Sequence, residues 1–292
     1  MIRLLPAAAL VVFWSSGFIG ARLGTTYAPA DTLLAWRYLI AGAVLVVVAL
    51  AAGVRPTRHA WARQSVLGLL CQAGYLGGTV TGIGLGVPAG TAALMAAVQP
   101  LVVAGLAGPM LGEVVDRRQW WALAGGFAGV ALVVGGNVGT SDAPFWAYLL
   151  PVAGMLALSL GTLLGRRWQD GGSVLESLTL QTVVAAVVFT AVAGARSTLA
   201  PPDSSEFWWS VLWVVCLSSF GGYGAYLLVL RRNGATRVSA LLYLTPPTTM
   251  LWAYLMFGDP VSVLGLVGLV VCAVSVATAL LAARPAPDLT PV

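Results

Sequence analysis

The chain is 292 residues long, 59% hydrophobic and only 9% charged, with a formal charge of +5 and a mean hydropathy of +0.91. A water-soluble domain carries about 25% charged residues, so this composition excludes a soluble globular protein and leaves little chain for any soluble domain. All of the positive charge except the lone His59 is arginine, because the sequence holds no lysine.

Apolar runs of roughly 20 residues, the length a helix needs to cross hydrocarbon, recur at about 4–22, 31–52, 62–84, 89–111, 118–136, 145–165, 174–195, 207–230, 236–257 and 261–283. They are continuous rather than alternating, which fits helices and not a β-barrel. The first run starts Met1-Ile2-Arg3 in the manner of a signal peptide. Further apolar runs follow it and residues 149–165 match it, so it is read as the first transmembrane helix. In the third run Gly74, Gly78, Gly82, Gly86 and Gly90 recur every four residues and smooth one face for close packing or sliding. Pro100 interrupts the fourth run and Pro246-Pro247 the ninth, at equivalent places; Pro100 and Pro246 are candidate hinges. Several tryptophans (Trp61, Trp120, Trp121, Trp146, Trp168, Trp208, Trp209) fall at run ends, where interfacial belts place them. The tail 285–292 is Pro-rich and expected to be disordered.

The chain repeats at a shift of about 145 residues. Gln99-Pro100 through Leu111-Gly112-Glu113 answers Thr245-Pro246 through Phe257-Gly258-Asp259; Leu4-Leu5-Pro6 answers Leu149-Leu150-Pro151, and Cys71 answers Cys216. The link from Asn137 to Ala143 divides two units, 1–137 and 144–284. The expected fold is therefore an all-α integral membrane protein of ten transmembrane helices in a five-plus-five repeat. An odd number of spans per unit puts the second upside down relative to the first, a plan that places a transport site between the halves. Arginine placement agrees. With the N-terminus inside, the inner segments hold Arg3, Arg55, Arg58, Arg63, Arg117, Arg118, Arg166, Arg167, Arg231, Arg232, Arg237 and Arg284. Arg22 and Arg196 lie on the outer side and Arg37 within a span. Such a bias sets both termini in the cytoplasm, and it accounts for the basic loops without any nucleic-acid partner.

Catalytic and metal sets are missing. His59, the single histidine, falls in a basic loop, so neither a Ser–His pair nor a histidine metal site forms within the membrane. Without lysine there is no Schiff base, and no pair of buried acids exists. The three cysteines, Cys71, Cys216 and Cys272, lie within spans and read as small apolar fillers rather than a disulfide or metal framework. No enzyme activity, cofactor or metal is expected.

Polar residues inside spans carry the remaining information. An intramembrane arginine costs on the order of 3 kcal/mol and belongs against the bundle interior or water. Arg37 therefore reads either as the binder of a substrate carboxylate or phosphate, or as a structural partner of Asp31 or of helix-end carbonyls. Trp14 and Ser15 sit midway along the first span. Gln72, Tyr75 and Thr79 share one face of the third, and Ser219, Tyr223 and Tyr226 repeat that spacing in the eighth. Gln99, Gln181, Tyr243 and Thr245 add polar groups at span level. One such group is usually an interhelical hydrogen bond; several over both units suggest a wet central cavity. No acid lies mid-span, so the usual proton carrier is absent, and Asp31 and Glu176 are the nearest candidates for coupling.

With these residues in view the chain resembles the drug/metabolite transporter superfamily, specifically its EamA-type ten-helix exporters. The resemblance rests on Trp14-Ser15, on Trp36-Arg37-Tyr38 with Ala41, and on the Pro100-to-Glu113 and Pro246-to-Asp259 segments. It implies spans one to four and six to nine around a central path, with five and ten peripheral. The second unit departs where Trp14-Ser15 becomes Ser159-Leu160 and Arg37 becomes Gln181, so the halves are expected to contribute unequally. The related four-helix multidrug pumps carry a glutamate in their first helix; this first span has none. The expected function is alternating-access export of small metabolites, amino acids or related compounds, from a bacterial inner membrane. The expected substrate-binding residues are Trp14, Ser15, Arg37, Gln72, Tyr75, Gln99, Gln181, Tyr223, Tyr243 and Thr245. The alternatives are multidrug or toxic-compound efflux and a non-transporting membrane scaffold. The expected partners are a small-molecule substrate and the lipid bilayer, in a monomer or, alternatively, a dimer.

Overall fold

The computed structural model describes residues 5–112, 117–137, 141–168, 172–222, 224–226, 229, 241–259 and 261–282, and every regular element among them is helical. In chain order α1 spans Leu5–Tyr27, α2 Ala30–Ala51, α3 Arg58–Gly84, α4 Ala89–Leu111, α5 Arg117–Asn137, α6 Phe145–Trp168 and α7 Val174–Ala195. Then α8 covers Ser205–Trp213 and widens over Val214–Gly222, α9 covers Thr245–Phe257 and α10 Val263–Ala282. Six of these (α1, α2, α3, α4, α6 and α7) are long and apolar enough to cross a membrane, and shorter apolar stretches lie at Trp120–Gly136 and Val263–Ser275.

Helix ends follow local chemistry. Thr57 accepts the Ala60 N–H at 3.1 Å, Ser173 the Glu176 N–H at 3.1 Å and Ser204 the Phe207 N–H at 3.3 Å, each satisfying a first-turn donor. α1 runs past its apolar stretch to Tyr27. There the Thr25 and Thr26 hydroxyls turn back onto the Ala21 and Arg22 carbonyls at 2.7 and 2.9 Å. Gly112 and Gly258 stop α4 and α9 in the left-handed conformation, at φ 73° and 68°, which glycine adopts without a Cβ clash.

Long helices depart from α geometry at matching places in the two halves. A π-helical turn occupies Gly68–Gly74 within α3, and another occupies Val214–Gly222 in α8. Likewise α4 breaks at Val98 and restarts at Gln99, while α9 starts at Thr245, so Pro100 and Pro246 each fall in a first turn. A proline there lacks only an N–H that the first turn leaves unbonded anyway. Both prolines thus begin helical pieces rather than interrupt one.

α2 lies along α7, α3 along α6, and α1 against α8 and α9, while α4 bridges α6 and α9. α5 and α10 pack chiefly on each other and reach the rest mainly through α4. Their contact is built from small residues: Gly125 faces Ser275, Gly129 faces Gly268 and Cys272, and the Cys272 thiol reaches the Gly126 carbonyl at 3.4 Å. Lipid offers no hydrophobic drive for helix pairing, so such close backbone approach supplies the attraction. The five glycines spaced by four do not form one sliding face. Gly74, Gly78 and Gly82 seat α3 on Ala157, Leu150 with Gly154, and Pro151 of α6. Gly86 turns the chain at φ 99°, and Gly90 meets Met250 of α9. Among the run-end tryptophans, Trp61, Trp120, Trp121, Trp146 and Trp209 are exposed as a belt requires. Trp208 instead packs edge-on against Trp36, and Trp168 lies under the Arg63 guanidinium.

A branched side chain at Gly78 has to displace the Leu150 carbonyl, whereas Gly194 faces open space. Gly78→Val is expected to cost about 1–3 kcal/mol and to lower the melting temperature of the detergent-solubilised protein, read by tryptophan fluorescence. Gly194→Ala should leave that temperature essentially unchanged.

Candidate functional site

A cavity of about 320 Å3 lies among α1, α2, α3, α6, α7 and α8. Its polar wall is made by Arg37, Gln72, Tyr75, Thr79, Ser218 and Ser219, with Trp14 and Phe18 of α1 beside them and Leu45, Leu158 and Leu178 on the apolar side.

Arg37 owes its aim to its neighbours in sequence. Trp36 donates its indole N–H to the Leu199 carbonyl at 3.0 Å and stacks edge-on with Trp208, ring centroids 5.1 Å apart. Tyr38 stacks on Phe189 at 5.5 Å and donates its hydroxyl to Gln72 Oε1 at 2.8 Å. With residues 36 and 38 both fixed, the rotation of α2 about its axis is set and Arg37 points inward, 7% exposed. Its Nη2 donates to Ser218 Oγ at 3.5 Å, and its guanidinium carbon sits 5.7 Å from the Tyr38 ring centroid. A guanidinium cannot shed its proton on burial, so a permanent positive charge borders the cavity.

The two π turns supply much of the remaining polar wall. Cys71 and Gln72 belong to the first, and Ser218, Ser219 and Phe220 to the second. Ser219 Oγ donates to the Val214 carbonyl at 3.1 Å, five residues back, as the wide turn allows. Gly17 lets α1 approach, since a Cβ there would stand 2.6 Å from Ser218 Oγ. Thr79 is 2% exposed, and its Oγ1 has no hydrogen-bond partner among the described residues.

Of the residues singled out from sequence, Trp14, Arg37, Gln72 and Tyr75 meet at the cavity. Thr79 and Ser219, from the same polar faces, also line it, and the remaining described ones lie elsewhere. Ser15 is fully buried and donates to the Thr245 carbonyl at 3.4 Å, joining α1 to α9, and Thr245 is buried at that junction. Gln99 donates to Thr162 Oγ1 at 3.1 Å between α4 and α6, and Gln181 to Gln64 Oε1 at 2.7 Å between α7 and α3. Tyr243 packs on the cluster that holds Leu94, Leu101 and Met155. Tyr223 and Glu113 lie outside the described residues, and Tyr226 packs on Trp14 with centroids 5.9 Å apart. Tyr38, Thr182 and Ser218 line the cavity without having been singled out for it. Adjacency to Arg37 and to Ser219 is the signal that Tyr38 and Ser218 offered.

Asp31 serves a different purpose from pairing with Arg37. Its carboxylate accepts from Thr198 Oγ1 at 2.8 Å and from the Thr32 N–H at 3.2 Å, with Arg196 Nη1 at 3.7 Å. Thr32 Oγ1 donates to the Thr198 carbonyl at 2.6 Å. These bonds tie the start of α2 to the turn that follows α7. At the same end Arg22 lies over the Phe257 ring, 6.0 Å from its centroid. Partial burial pushes the nearby Asp259 carboxyl above its ordinary range, and the Arg22 charge opposes that rise.

Asp31 is buried while Arg196 is two-thirds exposed, and an exposed ion pair contributes little. Asp31→Ala, which removes the charged acceptor shared by the half-buried Thr198 hydroxyl and the Thr32 N–H, is expected to cost about 1–3 kcal/mol. Arg196→Ala is expected to cost under about 0.5 kcal/mol. Thermal melts of the two variants in one detergent compare them directly.

The chain matches the family model described as EamA-like transporter family twice, over residues 1–135 and 145–281, and so belongs to that family. It is 24% identical over 287 residues to the uncharacterized inner membrane transporter YedA of Escherichia coli K12, covering 95% of this chain and 92% of that protein. It is 25% identical over 278 residues to the uncharacterized transporter YyaM of Bacillus subtilis, covering 92% of this chain and 90% of that one. A protein of Streptantibioticus cattleyicolor named probable terminal-alkyne amino-acid exporter is 28% identical over 268 residues, 88% of this chain and 86% of that protein. A solved crystal structure shares the fold with a TM-score of 0.66 at 22% identity, across 96% of this chain and 98% of its own.

Proposed function

We propose that this member of the EamA-like transporter family exports small metabolites, amino acids or related compounds, through the Arg37 cavity by alternating access. The observation that carries the reading is a permanent cation set in a cavity of aromatic and hydroxyl groups, inside a chain whose spans otherwise shun charge. A guanidinium so placed suits a carboxylate, which it meets through two parallel N–H bonds. Trp14, Tyr75 and Tyr38 then offer flat apolar faces to the rest of the molecule. The relative named as an amino-acid exporter supports the same substrate class.

The frame we propose is ten transmembrane helices in two five-helix units, 1–137 and 144–284, the second inverted relative to the first. The double family match and the matching π turns support the duplication. The odd span count per unit and the arginine bias support the inversion and place both termini in the cytoplasm. The multi-pass protein then lies in the bacterial inner membrane, as the name of one relative says of that relative, and works as a monomer. In that orientation the Asp31–Thr198 contact faces outward, and export requires it to open while the arginine-rich end closes. Pro100 and Pro246 begin helical pieces at equivalent points and are our candidates for the hinges. Multidrug efflux fits less well, since a lipophilic cation would have to lie beside Arg37.

Liposomes holding the purified protein and loaded with an amino-acid mixture test the reading. Protein-dependent efflux of at least one component is expected, and no flux of any metabolite would sink the proposal. In Arg37→Ala, a retained melting temperature with efflux of anionic substrates reduced by about 10-fold or more assigns Arg37 to binding. A collapsed melting temperature would assign it to structure instead.

A further inference from the structure

The charge inventory of the cavity goes further than the presence of Arg37. That residue is the one charged side chain among the described residues that line the cavity; no Asp, Glu, Lys or His joins it. In the sequence, residues 223–240 also contain no acid. An α-amino acid brings two charges, and its ammonium stands one carbon away from its carboxylate. If the carboxylate engages Arg37, the ammonium is carried to within a few ångströms of the guanidinium, and no carboxylate among the described lining residues offsets the like-charge contact. The aromatic faces of Trp14, Tyr38 and Phe220 also attract a cation, which offsets the contact less than a paired carboxylate would.

The wall has a second relevant group. Thr79 Oγ1 borders the cavity, is buried, and lacks a hydrogen-bond partner among the described residues. A buried hydroxyl in that position is normally satisfied by a ligand or water. Thr79 lies five residues from the end of α3 and Arg37 seven residues after the start of α2, and the two helices run antiparallel. At 1.5 Å per residue both stand about 8–10 Å from the same end of the bundle. Leu45 and Leu178 lie further along α2 and α7, with Leu158 of α6 beside them. Gly42 faces the Thr182 methyl at 3.7 Å, which sets Leu45 and Leu178 at a common level. The cavity therefore sets Arg37 and Thr79 toward one end and Leu45, Leu158 and Leu178 toward the other, with Gln72 and Thr182 between them.

We propose that the cavity selects amphipathic monoanions, carboxylates with no ammonium on the adjacent carbon, over zwitterionic α-amino acids. The carboxylate binds at Arg37, a neutral hydroxyl or carbonyl on the adjacent carbon meets Thr79, and the apolar flank lies along the three leucines. This inference rests on the reading that the Arg37 cavity holds the exported compound, and it narrows the substrate class within that reading.

The test uses the full chain and near-isosteric pairs: phenylalanine against 3-phenyllactate, and leucine against 2-hydroxyisocaproate. Binding is measured by equilibrium competition in detergent and carriage by counterflow in proteoliposomes. Each hydroxy acid is expected to bind at least about 10-fold tighter than its amino acid, and to be carried faster at equal subsaturating concentration. Arg37→Gln, shown to be folded by its melting temperature, should reduce that preference to within about threefold. Thr79→Val should weaken the hydroxy acid more than 3-phenylpropionate, which lacks the hydroxyl. An amino acid that binds or moves as well as its hydroxy analogue overturns the charge selection and leaves metabolite export standing. A preference that survives in Arg37→Gln overturns the role given to Arg37. If no member of either pair, nor any component of an amino-acid mixture, binds or moves with folded protein, the export reading and this inference fall together.

Discussion

A peptide group inside hydrocarbon has no water to bond, and leaving it unpaired costs several kcal/mol. That constraint governs the whole chain. It makes every regular element among the described residues a helix, and it restricts where helices depart from α geometry. The departures at Gly68–Gly74 and Val214–Gly222 are π turns that border the cavity. The break at Val98 is buried against α5, α6 and α10 neighbours rather than facing lipid. Among the described residues each departure thus has protein or the cavity on one side, while Leu69 and Cys216 of the two π turns stay exposed.

The polar side chains divide by the same logic. Ser15, Gln99 and Gln181 each bond a neighbouring helix, and Asp31 gathers Thr198, Thr32 and Arg196 at one end of the bundle. These bonds hold helices where lipid supplies no hydrophobic pressure to do so. Arg37, Gln72, Tyr75, Thr79 and Ser218 border open volume instead. Tyr38 belongs to both groups, since it stacks on Phe189, bonds Gln72 and lines the cavity. It couples the wall of the site to the α2–α7 contact.

Much of this was legible before any coordinates. Hydropathy located the helices because a span must be apolar over its whole length, and internal similarity showed the duplication. Arg37 stood out because a charge in a span needs a reason, and the spacing of Gln72, Tyr75 and Thr79 put them on one face. The rest depended on which way each helix is turned. Gln181, matched to Arg37 from the sequence, bonds Gln64 and not the cavity, whereas its neighbour Thr182 lines it. Ser15 follows the cavity residue Trp14 by one position, about 100° round the helix, and lands against α9. Hydrogen-bond partners such as Thr162 for Gln99 lie far away in sequence, so the sequence showed a polar group without showing what it meets. The glycine spacing was equally ambiguous, since Gly74, Gly78 and Gly82 seat α6 while Gly86 turns the chain and Gly90 meets α9. Wide turns leave no composition signal at all, and both were found only in the backbone.

A π turn behaves like a dislocation in a crystal: it is an α-helix carrying one surplus residue. The surplus residue turns the helix beyond it by about 100° relative to an unbroken α-helix. Each unit holds one such defect beside the cavity, at Gln72 in the first and at Ser218 and Ser219 in the second. The polar groups on the two wide turns therefore reach the cavity at a rotation that an unbroken α-helix of the same sequence would not give them.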